Sequence, residues 1–307
     1  MQISTTYLFE RASTQMSNAT NALSKSQAQI ATGKQVLNAS DAPDQAAAIA
    51  RLQATIGRQD SYNKALDTLQ GRLDLESTTL SSASDVLVRI KELTVQANNG
   101  TQGTISRTAI ATEIKGLRDQ LLSLANTRDT TGNYIFSGSK VATPAFQANA
   151  QGAVSYSGDQ TRMNIAIGDQ RALPLNRPGS DAFVRVVRTD QQGNASGVGF
   201  FQSLDDLITS MKSNDSAGMQ RGLKEVDALH GGIVLAQADA GTSMKVIEQQ
   251  GTILGDTNIT LKSALSKAQD LDMTTAITDM QKQMTALEAA QSSFAKISQL
   301  SLFKYLG

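Results

Sequence analysis

Asn38-Ala39-Ser40-Asp41-Ala42-Pro43-Asp44 carries the start signals of a helix. Ser40 or Asp41 can accept hydrogen bonds from free backbone amides, Pro43 fits a first helical turn, and the carboxylates suit the positive end of the helix dipole. Downstream, Ile49, Leu52, Ile56, Leu66, Leu69, Leu73, Leu80, Leu87 and Ile90 recur at mostly three-and-four spacing, which keeps one apolar stripe on one helical face. Gly57 and Gly71 weaken this helix by roughly 1 kcal/mol each relative to Ala without ending it. Asn98-Asn99-Gly100 and Gly103 predict a turn, after which Ile110, Ile114, Leu117, Leu121 and Leu124 carry a second helix that can fold back on the first. A helix over 44–98 would run about 80 Å, so the sequence predicts a rod.

The four prolines, at 43, 144, 174 and 178, extend the pattern outward. They leave 44–143 and 179–307 free of proline, so two helical blocks should flank a different middle. There Tyr134–Gly138, Val154–Asp159 and Met163–Gly168 are short, β-rich and punctuated by glycine. Ala172–Leu175 and Phe183–Val187 offer further strands, and 191–199 reads as a polar return loop. Helix resumes with Leu204, Leu207, Ile208 and Met211. After Asn214-Asp215-Ser216 the stripe runs through Leu223, Val226, Leu229, Ile233, Ala236, Ala240, Met244, Ile247 and Leu254. The expected fold is mainly α with a β insert: an elongated helical hairpin rod carrying a small inserted β domain and amphipathic terminal helices. Its segments are 1–40, 41–132, 133–200, 201–259 and 260–307.

The extremities carry weaker stripes. Met16, Ala19, Leu23 and Ile30 mark the amino-terminal one; Leu265, Leu271, Ile277, Met280, Met284, Leu287, Phe294, Ile297 and Leu300 mark the other. Each is too polar to hold a fold alone, so the two are expected to pair with each other and with neighbouring copies. Met16, Leu23, Ile30, Ile277, Met280, Met284, Leu287, Phe294, Ile297 and Leu302 are the expected subunit-interface residues.

Composition narrows the function. Lys plus Arg equals Asp plus Glu at 28 each, so no net field favours nucleic acid or anionic lipid. The absence of Cys removes thiolate catalysis and cysteine-based metal sites. No window approaches the ~20 apolar residues of a membrane span, and Met1–Thr6 lacks the basic and apolar stretches of a cleavable signal. No membrane insertion is expected, and export would take another route. Thr32-Gly33-Lys34 is a fragment of a phosphate loop, but Ala28 and Gln35 stand where Gly and Ser or Thr are needed. His230 is the only histidine and falls between Leu229 and Ile233 at helical spacing, as a hydrogen-bonded helix residue would. Asp205-Asp206 are expected in a first helical turn, and Asp41 and Asp44 have a capping explanation. No catalytic, cofactor or metal residue is therefore assigned, and no enzyme activity is expected.

Ile30–Ala50, Ile-Ala-Thr-Gly-Lys-Gln-Val-Leu-Asn-Ala-Ser-Asp-Ala-Pro-Asp-Gln-Ala-Ala-Ala-Ile-Ala, resembles the amino-terminal signature of the flagellin superfamily. Ala42-Pro43 and Ala47-Ala48 depart from the filament pattern, whereas Met1–Thr5 and Ala290–Leu306 resemble the hook–filament junction branch, and Gly132–Ser139 resembles the family's entry into its β domain. The resemblance implies a structural component of the flagellum, exported unfolded by the flagellar type III apparatus and located outside the cell. Its implied partners are further copies of itself, the preceding hook-associated junction protein, flagellin, and an export chaperone before secretion. A minor filament flagellin is the alternative within the family; a type III translocator or helical pore-forming toxin is the alternative outside it.

Overall fold

The computed structural model describes the backbone of residues 2–100, 102–189 and 195–306, and their side chains except for residues 2–6, 8 and 297–306. The helices are α1 (Gln2–Thr32), α2 (Pro43–Ala97), α3 (Thr104–Ala125), α4 (Gly179–Ala182), α5 (Phe200–Lys212), α6 (Ser216–Gln269) and α7 (Met273–Leu306). The strands are β1 (Phe146–Ala148), β2 (Val154–Tyr156), β3 (Asn164–Ala166), β4 (Ala172–Pro174), β5 (Val186–Thr189) and β6 (Ala195–Val198). The chain divides into a terminal unit, Met1–Gln59 with Asp256–Gly307, and a central unit, Asp60–Gly255.

The α2 stripe builds the central core. Leu80, Leu87, Ile90 and Leu93 are buried against Ile110, Ile114 and Leu121 of α3 and Val226, Leu229 and Ile233 of α6. A second cluster joins Leu66, Leu69 and Leu73 to Ala240, Ile247, Leu254 and Ile167. Helix α2 passes Gly57 and Gly71 unbroken, and α3 folds back as the periodicity predicts, with Arg89 of α2 reaching Glu113 of α3 at 2.9 Å. The start of α2 differs in one detail. Its first helical bond runs from Ala46 N–H to Ala42 C=O, which puts Pro43 at the first helical position but Ala42, not Ser40 or Asp41, at the cap. Asp41 faces Lys25 instead, at 3.4 Å.

The insert holds three separate antiparallel hairpins rather than one sheet, with Phe146 opposite Tyr156, Asn164 opposite Pro174 and Val186 opposite Val198. Phe146 meets Phe183 and Phe201 at ring-centroid distances of 5.4 and 5.3 Å, edge to face, so aromatic packing joins the hairpins to the head of α5. Three strand assignments shift. Tyr134–Gly138 forms turns with Ile135 and Phe136 buried, the strand expected over Phe183–Val187 is β5 at Val186–Thr189, and part of the expected loop 191–199 is β6. Residues 190–194 lie outside the described residues.

The first shift has a local cause: Gly132 and Gly138 adopt φ of 85° and 70°, incompatible with a strand. A Cβ on Gly138 would strike the backbone carbonyl and carboxylate of Asp159. The Ser139 hydroxyl, then the Ser139 and Thr161 amides at 2.8 and 3.0 Å, donate to that carboxylate and hold its pKa well below the usual carboxylate range. Gly138→Ala should therefore cost at least about 1–3 kcal/mol, read as a lower urea midpoint for the central unit.

Arginines clamp this unit. Arg188 of β5 grips Glu225 of α6 through two bonds of 2.9 Å and Asp206 of α5 at 2.7 Å, and the Arg188 pKa rises, chiefly through the Glu225 hydrogen bonds. Arg118 of α3 holds Asp205 at 3.0 Å. Asp205 and Asp206 thus sit beyond the first turn and bind arginines, because burial of Phe200 and Phe201 starts α5 before Leu204.

Candidate assembly interface

The terminal unit is built differently. Among its described residues no apolar side chain is buried; every buried hydrophobic residue falls within 66–254. Its organising feature is the packing of α1 along α7. The Phe9 and Phe294 rings lie 4.9 Å apart, and the Ser26 hydroxyl donates to Gln283 Oε1 at 3.0 Å, so the two helices run antiparallel. At one end a short bridge joins them: Gln35 N–H donates to the Gln269 carbonyl at 2.8 Å and Leu271 N–H to the Gly33 carbonyl at 2.9 Å. Gly33 takes φ of 66° to end α1, as only glycine does without strain.

Helix α6 passes residue 260 without a break, and the chain turns only at 270–272. There Asp272 caps α7. Its Oδ1 accepts Thr274 N–H at 3.0 Å and Thr275 N–H at 3.3 Å, and the Thr275 hydroxyl bonds Oδ2 at 2.7 Å. The Thr275 hydroxyl, then these amides, lower the Asp272 pKa. This support is present above the unfolded carboxylate pKa and disappears as pH falls through the lower folded value. Asp272→Ala should speed hydrogen exchange at the Thr274 and Thr275 amides at neutral pH while leaving the central unit unchanged.

Side chains at the expected interface separate into two rows. Met16, Leu23, Ile30, Met280, Leu287 and Phe294 are half-buried and face the α1–α7 seam. Ile277 and Met284 stand outside it, 41% and 42% exposed. The side chains of Ile297 and Leu302 lie outside the described residues. Phe9, at the far end of the seam, is absent from the amino-terminal stripe that begins at Met16, yet a strict seven-residue repeat identifies it: Phe9, Met16, Leu23 and Ile30 on α1 and Met280, Leu287 and Phe294 on α7. Tyr7, 63% exposed, lies beyond Phe9.

His230 Nε2 shares a 3.0 Å hydrogen bond with the Ser84 hydroxyl, linking α6 to α2. It borders an open groove of about 530 Å³ lined by Leu87, Val88, Lys91, Glu92, Val95 and Val226. Among the described residues no three His, Asp or Glu side chains gather as metal ligands, and no helix is long and apolar enough to cross a membrane.

The bacterial flagellin N-terminal helical region matches residues 3–141, and the bacterial flagellin C-terminal helical region matches residues 223–306, between them most of the chain. The chain belongs to the flagellin family. Within that family it is similar over 99% of its length to flagellar hook-associated protein 3 of Escherichia coli, 27% identical across 99% of that protein. It is 26% identical, with the same coverage, to flagellar hook-associated protein 3 of Salmonella typhimurium. A solved structure of a putative flagellar hook-associated protein from Vibrio parahaemolyticus shares the flagellin-family fold at a TM-score of 0.67 and 19% identity, covering 75% of this chain and all of that one.

Proposed function

We propose that this chain is a structural component of the bacterial flagellum that joins hook to filament, assembling through its terminal helices. The supporting observation is the contrast between the units: a central unit with a buried core, and a terminal coil with none of its own among the described residues. A two-helix coil with half-wet apolar positions gains most when neighbouring copies cover it. Full-length similarity to hook-associated protein 3 supports the junction rather than the filament as its location.

On this reading the exposed row of Ile277 and Met284, with Tyr7, meets neighbouring copies, while Phe294, Leu287, Met280, Met16, Leu23 and Ile30 lock each copy's own coil and lend their uncovered edges to the contact. Ile297 and Leu302 extend the interface toward the carboxy end. The partners are other copies of this chain, the preceding hook-associated protein and flagellin; a chaperone holds the apolar carboxy-terminal helix before export without a cleavable signal. The role is mechanical, with no catalytic step. Antibody labelling of isolated flagella tests it: one band at the outer end of the hook supports the junction, and label along the filament would identify a minor flagellin instead.

A further inference from the structure

The exposed row of α7 carries a chemistry that its apolar character alone does not describe. Among the described residues, the large apolar side chains left exposed on this helix are Met273, Ile277 and Met284. At 3.6 residues per turn these three positions fall within about 40° of one another, so they form one stripe. Two of the three are thioethers. The chain has nine methionines and no cysteine, so methionine holds all of its sulfur. Met211 and Met219 are buried in the central core, and Met16, Met163, Met244 and Met280 are half-buried, whereas Met273 and Met284 are 43% and 42% exposed. Among the described methionines, an oxidant in solution therefore reaches the exposed row first.

We infer that Met273 and Met284 form a peroxide-sensitive modification site that decides whether neighbouring copies can cover the terminal coil. This rests on the reading of the exposed row as an assembly surface. The oxidant is a hydroperoxide, hydrogen peroxide being the simplest. A sulfur lone pair attacks the peroxide, an S–O bond forms as the O–O bond breaks, and the departing hydroxide collects the proton of the transferred oxygen to leave as water. Sulfur loses two electrons and the peroxide gains them. The thioether, a flexible apolar group, becomes a polar sulfoxide. Water satisfies the sulfoxide oxygen on a free copy, but a neighbour laid over the row strips that water away and leaves a buried acceptor without a donor. Leu23, Leu287 and Phe294 of the seam carry no sulfur, so the free copy keeps its coil while its outer face becomes unfit for contact. In assembled copies the same contact shields both sulfurs, so the site acts on protein not yet incorporated.

Partial oxidation of the full-length protein with hydrogen peroxide, followed by peptide mapping, should find Met273 and Met284 converted before Met16 and Met280, with Met211 and Met219 last. The partly oxidised protein is then offered to hooks isolated from cells that lack this chain, and sulfoxide is mapped in the bound and unbound fractions. Bound protein should carry sulfoxide at 273 and 284 about tenfold less often than unbound protein, the factor expected when a buried acceptor is left unsatisfied. Met163 and Met244, in the central unit, should show no such depletion. Methionine sulfoxide reductases, one for each epimer, should return the unbound fraction to binding. In a chain with Met273→Leu and Met284→Leu, binding after peroxide should match the binding of that same variant before it. The inference is overturned if sulfoxide at 273 and 284 is as frequent in bound as in unbound protein, if depletion falls on Met16 and Met280 instead, or if Met163 and Met244 are depleted equally. It is equally overturned if Met273 and Met284 oxidise no faster than Met280, if reduction fails to restore binding, or if the leucine variant loses binding to peroxide as the parent does. Unoxidised parent protein that does not bind hooks at all would refute the junction reading itself, and this inference with it.

Discussion

Phe294→Asp should leave cells without functional hook–filament joints, non-motile in soft agar, with the variant protein accumulating in the medium while its central unit melts like the parent. The Phe294 ring sits 4.9 Å from Phe9 in a seam with no fully buried apolar side chain among the described residues. Complete burial of a Phe is worth roughly 1.5–3 kcal/mol, and the part of Phe294 still wet in one copy is the share available to a neighbour. A carboxylate there forfeits both parts and adds a desolvation penalty of several kcal/mol, in every copy of the assembled layer at once. The core of residues 66–254 contains none of these residues, so it should keep its melting transition. Phe294→Leu, which keeps the apolar volume, should retain most motility. Normal swimming of the Asp variant would refute terminal-helix assembly, and loss of the central transition would show that the variant fails by misfolding instead.

What the sequence made legible follows the physics of each element. The helices were readable because a long stripe such as Leu66 through Ile90 repeats one periodic signal many times, and two glycines cannot outweigh it. The strands at 154–156, 164–166 and 172–174 were readable from β-formers between turn residues, whereas β1, the partner of the first, was not. Tyr134–Gly138 misled because Tyr, Ile and Phe favour strands, while the deciding facts, two left-handed glycines and the approach of Asp159, depend on chain positions far apart. Asp205 and Asp206 misled for a related reason: local dipole logic explains acidic residues near a helix start, whereas Arg118 and Arg188 arrive from distant segments. At the interface the large seam residues were visible as a stripe. The division between a row closed within the coil and the exposed row of Ile277 and Met284 needed the pairing of α1 with α7.

Arg177→Met should destabilise the central unit by roughly 3–5 kcal/mol at neutral pH, the range expected when one member of a buried ion pair is removed and the other stays charged. Arg177, just past β4, reaches Glu76 of α2 at 2.6 Å and Asp239 of α6 at 3.3 Å, so one side chain ties the hairpin to both long helices. Glu76 is only 5% exposed. Burial pushes the Glu76 pKa up, and Arg177, by charge and hydrogen bond, offsets this only in part. For Arg177 the balance differs: burial pulls its pKa down, but Glu76 and Asp239 more than compensate. A carboxylate with a raised folded pKa favours the folded state below its unfolded pKa and loses that advantage as pH rises through the folded value. Without Arg177 the Glu76 pKa should rise further, so the deficit of the variant should shrink on moving from neutral to mildly acidic buffer, as protonation removes the stranded charge. Glu76→Leu combined with Arg177→Met should recover most of the loss, since well-packed apolar replacements of a buried pair are often neutral or stabilising. Urea midpoints of the parent, single and double variants at two pH values measure all three expectations. A single variant as stable as the parent at neutral pH, or one that loses further stability relative to the parent on acidification, would show that Arg177 does not neutralise a buried Glu76.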